Sequence, residues 1–304
     1  MARPAYAYDL RDRVAVVTGA TSGLGRVTAE ALARAGATVG VVGRDPQRAA
    51  DAARAISAAA GSGRVVALSA DLSRLSAVRA LAADLQSRWP ALHILVNNAG
   101  AIFAARGETP DGLEQTWALN HLSYFLLTQL LLEPLRAGGA PGRSARIVNV
   151  ASNAHRRGRL RWADLELRNA YSAYAAYSQS KLANILFTAE LARRLAAAGD
   201  PVTANSVHPG LVHTRFAANN AQRSWRFAYV FINRLGLTPT QGADTLIYLA
   251  ADPAVEAVTG RYFVRRRAVP PAAAAQDAAA ARRLWEVSEQ AVALPVNASV
   301  SSKE

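Results

Sequence analysis

The sequence contains no cysteine. This absence excludes disulfide bonds, thiolate metal ligands and a cysteine nucleophile. No run of about 18 consecutive apolar residues occurs either, so the sequence predicts no transmembrane helix. The N-terminal residues 1–13 lack the apolar core of a secretory signal peptide. We therefore expect a soluble protein of a reducing compartment, the cytoplasm.

Lysine is almost as scarce, since Lys181 and Lys303 are the only two in a chain of net charge +13. Arginine carries the rest of the positive charge, scattered through alanine-rich segments. A coding bias toward Ala and Arg explains this pattern better than nucleic-acid binding, which clustered basic residues or a helix-turn-helix would indicate. Among the histidines, His155, His208 and His213 show no metal-ligand spacing. We predict neither a nucleic-acid partner nor a bound metal.

Short β-branched runs alternate with longer segments rich in Ala and Leu. Strands are predicted at 14–18, 38–42, 65–69, 94–97, 146–151, 203–208 and 262–264, and helices at 24–35, 47–59, 77–89, 182–198 and 282–292. Most of the strands are apolar at successive residues, which is typical of parallel strands covered on both faces.

This alternation predicts one fold for the whole chain, 1–304. We expect a single-domain α/β Rossmann fold, with a doubly wound parallel sheet of about seven strands and helices on both faces. Residues 268–281 are rich in Pro and Ala, and we expect them to form a loop. The C-terminal extension 268–304 would then contain one last helix and a frayed end.

A glycine-rich loop, TGATSGLG at 18–25, follows the first predicted strand and opens the first predicted helix. Glycine permits a tight turn there and lets backbone N–H groups approach a pyrophosphate at the helix N-terminus. The spacing differs from the commoner G-x-G-x-x-G, and a simple glycine-rich turn is the alternative. The position between strand and helix favours dinucleotide binding.

The cofactor preference is expected at the end of the second strand, where an acidic residue would bind the ribose of NAD. Arg44 occurs there instead and suits the 2′-phosphate of NADP(H). We interpret the following Asp45 as a helix N-cap. Asp71, after the third strand, either accepts a hydrogen bond from the adenine amino group or caps the next helix.

Tyr177 and Lys181 are four residues apart and share one face of a helix. A tyrosine hydroxyl, with a pKa near 10, is a poor base at neutral pH. A nearby ammonium favours the phenolate, and lowering the pKa by about 3 units requires roughly 4 kcal/mol. A lysine can also pass on a proton, which arginine cannot. The pair therefore predicts acid–base catalysis.

The chain resembles the short-chain dehydrogenase/reductase family. The resemblance is carried by the glycine loop at 18–25, by NNAG at 97–100 and by YSQSK at 177–181, and it spans 13–264. The stretches LNHL at 119–122, YSQSKLAN at 177–184, VHPG at 207–210 and ARRLW at 281–285 bring it nearer to the retinol-dehydrogenase-like and protochlorophyllide-reductase-like branch. The light-driven protochlorophyllide reaction uses a cysteine, which this chain lacks.

The resemblance implies a catalytic set. Tyr177 would exchange a proton with the substrate oxygen, and Lys181 would bind the nicotinamide ribose and lower the pKa of Tyr177. Ser152 would hold the substrate oxygen, and Asn120 would anchor a water that links Lys181 to solvent. Taken alone, Ser152 is equally a strand-end cap and Asn120 an ordinary buried polar residue.

The resemblance also implies a cofactor site and an oligomer. The cofactor-binding residues would be Gly19, Thr21, Ser22, Gly23, Leu24, Gly25, Arg44, Asp71, Leu72, Asn98, Ala99, Gly100, Tyr177, Lys181, Pro209, Gly210, Val212 and Thr214. A homodimer or tetramer would form through the helices that carry Asn120 and Tyr177.

Two segments are expected around the substrate. Residues 153–170 contain several arginines and Trp162, and form either a solvated loop or a contact to an acidic substrate. Residues 211–237 contain aromatic residues between arginines, which favours a lid over an apolar substrate, with a membrane-surface helix as the alternative.

Together these features predict an NADP(H)-dependent oxidoreductase. It would transfer hydride between the nicotinamide and a ketone, aldehyde or alcohol of a bulky, mostly apolar small molecule. A non-catalytic NADP-binding sensor on the same fold is the alternative, although a sensor would need neither Tyr177 nor Lys181. Fold by itself does not decide between the two.

Overall fold

Eight strands form one sheet in the computed structural model, which describes residues 8–61, 64–212 and 236–293. They are β1 (Val14–Thr18), β2 (Thr38–Gly43), β3 (Val65–Ser69), β4 (Ile94–Asn97), β5 (Ala145–Val150), β6 (Val202–His208), β7 (Tyr262–Val264) and β8 (Arg267–Ala268). Their order is β3-β2-β1-β4-β5-β6-β7-β8, with β1 to β7 parallel and β8 antiparallel to β7. The strand order reverses between β1 and β4, which opens a crevice at their carboxyl ends.

Helices cover both faces of this sheet. They are α1 (Gly23–Arg34), α2 (Pro46–Ala60), α3 (Leu75–Arg88), α4 (Gln115–Trp117), α5 (Ser123–Leu130), α6 (Leu132–Gly138), α7 (Ala173–Ala198), α8 (Pro239–Ala251) and α9 (Ala278–Val292). The predicted doubly wound α/β fold is confirmed, and all seven predicted strands occur. The two-residue β8 was missed because so short a strand has no periodicity to detect.

Strands β1 to β7 each contribute side chains to two separate cores, one on either face. In β1, Val16 belongs to the core under α3, α5 and α7, while Ala15 and Val17 belong to the core under α1, α2 and α8. Burying a valine side chain stabilises the fold by ~1.5–3 kcal/mol. The apolar residues at successive positions therefore reflect a sheet that has no solvent-facing side.

Local capping decides where several helices begin and end. The Asp45 carboxylate accepts from the Arg48 N–H at 2.8 Å, so its interpretation as an N-cap is confirmed. Gly61 ends α2 with φ of 67°, a conformation that suits glycine. Thr238 and Gln241 form a reciprocal capping box at the start of α8.

The last helix starts earlier than predicted. Asp277 accepts hydrogen bonds from the N–H groups of Ala279 and Ala280, at 2.8 and 3.0 Å. The alanines that follow are strong helix formers once such a cap is present. The loop predicted over 268–281 therefore gives way to helix at Ala278. The helix bearing Tyr177 also starts earlier, at Ala173 rather than 182.

The C-terminal extension packs back onto the body of the protein. The Trp285 ring of α9 lies 5.0 Å from the Phe125 ring and 6.0 Å from the Phe187 ring. The Arg194 guanidinium lies over the Trp285 ring, 4.1 Å from its centre. Aromatic contacts of this kind stabilise by about 0.5–1.5 kcal/mol each beyond burial, so the extension belongs to the core.

Residues 153–170 pack more closely than a solvated loop would. Gln179 of α7 accepts from the Arg161 N–H at 3.1 Å and donates to the Leu165 carbonyl at 2.6 Å. A Cβ on Gly158 would lie 2.4 Å from the Ser178 carbonyl oxygen, so only glycine permits this approach. The arginine side chains of the segment are exposed, while its backbone is held against α7.

Most of the predicted lid, 213–235, lies outside the described residues, together with Thr214 and His213. The residues that flank it meet, because the Leu237 N–H donates to the Leu211 carbonyl at 2.7 Å. The lid stays a prediction. Across the described ranges, no helix combines the length and apolarity needed to span a bilayer.

Candidate active site

The glycine loop leaves the N-terminus of α1 open to a ligand. Ser22 stands at the N-cap position, but its side chain makes no capping hydrogen bond, and the first turn holds no acidic residue. Helices α2, α8 and α9, in contrast, are all capped by side chains. The uncapped N–H groups and the helix dipole of α1 fit the pyrophosphate of a dinucleotide.

The glycines are also required by packing against the NNAG motif. Gly19 has φ of +66° and Gly23 has φ of +56°, both in the left-handed region. A Cβ on Gly19 would lie 2.8 Å from the Ala99 Cα, and one on Gly25 would lie 2.5 Å from the Asn98 Nδ2. A side chain at either position would push the two motifs apart.

Thr18 joins these two motifs and was missed by the sequence analysis. Its hydroxyl accepts from the N–H groups of Asn98 and Ala99, at 2.9 and 3.0 Å. The Asn98 side chain donates to the Thr18 carbonyl at 2.8 Å. The side chain of Asn98 is thus used to hold the glycine loop in place.

The ends of β2 and β3 form the part of the crevice where Arg44 and Asp71 were expected to bind the adenosine of the cofactor. Arg44 is exposed there, and its side chain makes no hydrogen bond or ion pair with any residue in the described ranges. Asp71 accepts from the N–H and hydroxyl of Ser73, at 3.1 and 2.7 Å. The first turn of α3 is capped instead by Asp111, which accepts from the Leu75 N–H. The N-cap interpretation of Asp71 was therefore wrong.

Tyr177, Lys181 and Ser152 converge at the carboxyl end of β5. Lys181 is 2% exposed, and its Nζ donates to the Val150 carbonyl at 2.9 Å. The side chains of Ser152 and Tyr177 are hydrogen-bonded to each other. Ser152 also accepts from the Ala154 N–H at 3.2 Å, so it caps the turn after the strand as well.

Burial controls the ionisation of this group. It raises the pKa of Tyr177 to about 12, against a smaller lowering by the hydrogen bond from Ser152. It lowers the pKa of Lys181 to about 7. Burial outweighs the lowering of the Tyr177 pKa expected from Lys181, whose Nζ donates to the Val150 carbonyl and lies 5.7 Å from the Tyr177 ring centre. At neutral pH Tyr177 therefore keeps its proton, and Lys181 lies near the midpoint of its titration.

Asn120 lies in a single π-helical turn, Ala118–Leu122, between α4 and α5. Such turns are frequent at functional sites. The Asn120 side chain accepts from the Ala101 N–H and donates to its carbonyl, both at 2.9 Å, and donates to the Ser180 hydroxyl at 3.1 Å. Its amide is therefore held by protein groups.

The motifs that contain Gly100, Asn120 and Lys181 meet at this point. A Cβ on Gly100 would lie 3.1 Å from the Asn120 Oδ1 and 3.7 Å from the Lys181 Nζ.

A buried chain of polar groups extends from this site to α9 and was not predicted. Asn184 donates to the Asn120 carbonyl at 2.8 Å, so its Oδ1 accepts from the His121 Nδ1 at 3.3 Å. The His121 Nε2 then accepts from the Ser288 hydroxyl at 2.9 Å. Burial lowers the pKa of His121 to about 4, which keeps the ring neutral. LNHL and YSQSKLAN contain three of these residues, but their pairing needs the tertiary structure.

The residues after β6 close the crevice from the side of α8. A Cβ on Gly242 would lie 2.5 Å from the Val212 side chain and 2.7 Å from the Leu24 side chain, so both converge there. Gly210 has φ of +90°, and a Cβ on this residue would lie 2.5 Å from the Leu237 side chain. The Leu72 side chain is buried in the core. Within the described ranges, no group of three or more His, Asp or Glu could hold a metal ion.

Comparisons with known proteins agree with this geometry. The model of the short chain dehydrogenase family matches residues 13–225. Polyprenol dehydrogenase of Mus musculus is 47% identical over 274 residues, which is 90% of this chain and 82% of that protein. Retinol dehydrogenase 11 of Mus musculus is 41% identical over 291 residues, 95% of this chain and 89% of that protein.

Solved structures show the same architecture. An uncharacterized protein from Mycobacterium paratuberculosis superposes with a TM-score of 0.76 at 37% identity, over 95% of this chain and 96% of that one. RhlG of Pseudomonas aeruginosa, in an active-site complex with NADP, superposes with a TM-score of 0.66 at 31% identity, over 86% of this chain and 97% of that one.

Proposed function

The chain belongs to the short-chain dehydrogenase family, and on that premise we propose that it is an NADP(H)-dependent carbonyl reductase and alcohol dehydrogenase for bulky apolar molecules. The observation that supports this most is the convergence of Ser152, Tyr177 and Lys181 at the end of β5, beside the uncapped N-terminus of α1. Family membership makes the protein an oxidoreductase. The cofactor preference and the substrate class are the proposal.

The ionisation of Tyr177 suits a general acid. With a pKa of about 12 the phenol holds its proton at neutral pH and can donate it to a substrate carbonyl oxygen. The Ser152 hydroxyl, bonded to the same phenol, would orient that oxygen. Bound NADP(H) would supply the hydride. Alcohol oxidation would run the same proton transfer in reverse.

Lys181 would replenish the proton. Its pKa of about 7 lets it gain or lose a proton near neutrality. The Asn120 side chain is held by Ala101 and Ser180, so a water in this relay would have to bind the Asn120 carbonyl, which already accepts from Asn184. The role inferred for Asn120 would then belong to its main chain.

The NADP preference rests on Arg44 and on Asp45. Arg44 has no ionic partner in the described ranges, and Asp45, the nearest acid, is used as the cap of α2. A guanidinium that is free to pair suits a 2′-phosphate. The structure of RhlG with NADP is consistent with this preference.

The named relatives and the site surface support the proposed substrate class. The relatives are named for polyprenol and retinol, which are both apolar isoprenoid alcohols. The two exposed large apolar side chains in the described ranges are Tyr174, 42% exposed, and Leu211, 52% exposed. Tyr174 lies one turn before Tyr177, and Leu211 directly follows the VHPG motif. An isoprenoid chain would cover them.

The test is turnover with a matched control. NADPH and NADH are titrated first, and NADPH consumption is then followed with retinal, a short polyprenal and a polar aldehyde of similar reactivity. We expect NADPH to bind at least 10-fold more tightly than NADH, and turnover of the apolar aldehydes that is lost in Tyr177→Phe. Arg44→Ala should remove the preference for NADPH without preventing NADH binding.

Two results would overturn the proposal. Tight NADPH binding without turnover of any carbonyl would favour the sensor alternative. Equal binding of the two cofactors would refute the role of Arg44.

A further inference from the structure

One peptide group next to the catalytic serine is held at both ends by histidine side chains. The Ser152 carbonyl and the Asn153 N–H belong to the same peptide unit. The His155 Nδ1 lies 2.7 Å from that carbonyl oxygen. The Asn153 N–H donates to the His208 Nδ1 at 3.2 Å. The carbonyl and the N–H point in opposite directions, so the two rings form hydrogen bonds to opposite edges of the peptide group.

The partners of each ring decide which nitrogen carries the proton. The Ala272 N–H donates to the His155 Nε2 at 3.1 Å, so this nitrogen is an acceptor and the proton is on Nδ1. The His155 Nδ1–H therefore donates to the Ser152 carbonyl. His208 has the opposite tautomer, since its Nδ1 accepts from a backbone N–H and its proton must be on Nε2.

The surroundings keep both rings neutral. Burial is the largest cause that lowers each pKa, and that of His208 falls to about 4. Arginines act in the same direction, Arg156 on the pKa of His155 and Arg265 on that of His208. The Tyr262 ring of β7 packs against His155 at 5.0 Å. A second proton on either ring would place two donors against each other.

These bonds are not needed to close the turn. The His155 N–H already donates to the Ser152 carbonyl at 3.1 Å, and the Ala151 N–H donates to the Val207 carbonyl at 2.8 Å. Backbone bonds therefore fix the path of the chain. The histidines add control over the rotation of the peptide plane, which sets the direction of the Ser152 Cα–Cβ bond and hence of its hydroxyl.

We propose that His155 and His208 are positioning residues that clamp the Ser152–Asn153 peptide and keep the Ser152 hydroxyl aimed at Tyr177 and the substrate oxygen. The clamp draws on three separate segments, namely the turn after β5, the end of β6 and the start of the C-terminal extension. The effect of the clamp on the reaction rate rests on the proposed function. The tautomers of His155 and His208 do not depend on that function.

Asparagine and phenylalanine give a matched pair of substitutions at each position. The Oδ1 and Nδ2 of asparagine are attached to Cγ, as the Nδ1 of histidine is, so either can stand where that nitrogen was. His155→Asn keeps a donor for the Ser152 carbonyl, and His208→Asn keeps an acceptor for the Asn153 N–H. His155→Phe and His208→Phe keep a ring and remove the hydrogen bond.

The kinetic test compares the four variants with the wild type. We expect each Phe variant to lower kcat by about 10–100-fold, since small misplacements in an active site cost that much, with the NADPH Kd unchanged within twofold. The Asn variants should recover most of kcat. The Ser152 hydrogen bond lowers the pKa of Tyr177, so the rate profile of the Phe variants should shift to higher pH. Wild-type kcat in the Phe variants, or equal loss in the Asn variants, would refute the clamp.

A second measurement needs no turnover. Nitrogen-15 NMR of the ring nitrogens in the full-length protein distinguishes the tautomers, and single His→Asn variants assign the signals. We expect Nδ1–H for His155 and Nε2–H for His208 from pH 8 to pH 6. The reverse tautomers, or two protonated rings at pH 6, would overturn the clamp. If the wild type reduced no carbonyl, the proposed function would fail while this measurement still decided the clamp.

Discussion

Lys181 is a charged residue placed where charge is disfavoured. Its pKa is about 7 in the folded protein against 10.5 as the ordinary value, because burial removes the ammonium from water. Each pKa unit is equivalent to about 1.4 kcal/mol, so this cost exceeds the ~1 kcal/mol expected from its hydrogen bond to Val150. The lysine is thus retained at the expense of stability, as is common at active sites.

At the residue scale, Lys181→Met should stabilise the protein. Between pH 7 and 10.5 the unfolded chain binds more protons at this position than the folded chain, so wild-type stability rises with pH in that window. The penalty is fully present below the folded pKa and disappears above 10.5. The free energy of unfolding in urea should therefore be higher for Lys181→Met at pH 7, and the difference should shrink by pH 9.5.

The control is Lys181→Arg, which cannot lose its proton and should be less stable than the wild type at both pH values. A Lys181→Met variant that is less stable than the wild type at pH 7 would show that the hydrogen bond to Val150 outweighs the burial of the charge.

At the scale of elements, α9 acts on the site through a hydrogen-bond chain. Ser288 contacts His121, His121 contacts Asn184, and Asn184 contacts the carbonyl of Asn120. Each link supplies a group that its neighbour needs, because all four side chains are buried. A buried network is stable only when every member is satisfied.

Ser288→Ala tests this chain. The substitution leaves the His121 Nε2 without a donor, and an unsatisfied buried acceptor costs about 1–3 kcal/mol. We expect the free energy of unfolding in urea to fall by that amount. Gln290→Ala, an exposed position of the same helix, is the control and should change it by less than about 0.5 kcal/mol. Equal effects of the two variants would mean that the chain contributes nothing.

At the scale of the whole molecule, three histidines, one buried and two partly buried, make the fold sensitive to acid. Burial lowers the pKa values of His93, His121 and His208 to about 4, from an ordinary value of 6.5. Below pH 6.5 the unfolded chain binds these protons and the folded chain does not. Stability is therefore lost as the pH falls from 6.5 toward 4.

We expect the free energy of unfolding in urea to be lower at pH 5 than at pH 7. Each molecule should take up as many as about three protons when it unfolds at pH 5. In this range most carboxylates remain ionised, so histidine dominates. His93 lies outside the site. Replacing it with Gln should reduce the proton uptake on unfolding by about one and so make the free energy of unfolding less dependent on pH. An unchanged free energy across this range would show that these rings are protonated in the folded protein.

The sequence by itself determined the sheet and the main motifs. The strands from β1 to β7 and the helix from Gly23 are visible because hydrophobic periodicity is local. The spacing of Gly19 and Gly25 is visible because it lies within one short loop and helix start, and that of Tyr177 and Lys181 because both lie on one helix. The resemblance to the family rests on the same short motifs.

Only the tertiary structure decided which distant groups meet. His121 and Ser288 are separated by 167 residues, and His155 and Ala272 by 117, so no local pattern pairs them. The ionisation of Tyr177 also depends on the tertiary structure. Spacing predicted that Lys181 would lower its pKa, but burial, which depends on everything packed around the pair, raises it. The local sequence pattern determines where the helices and strands lie. The packing of distant segments determines which polar groups meet and how they ionise.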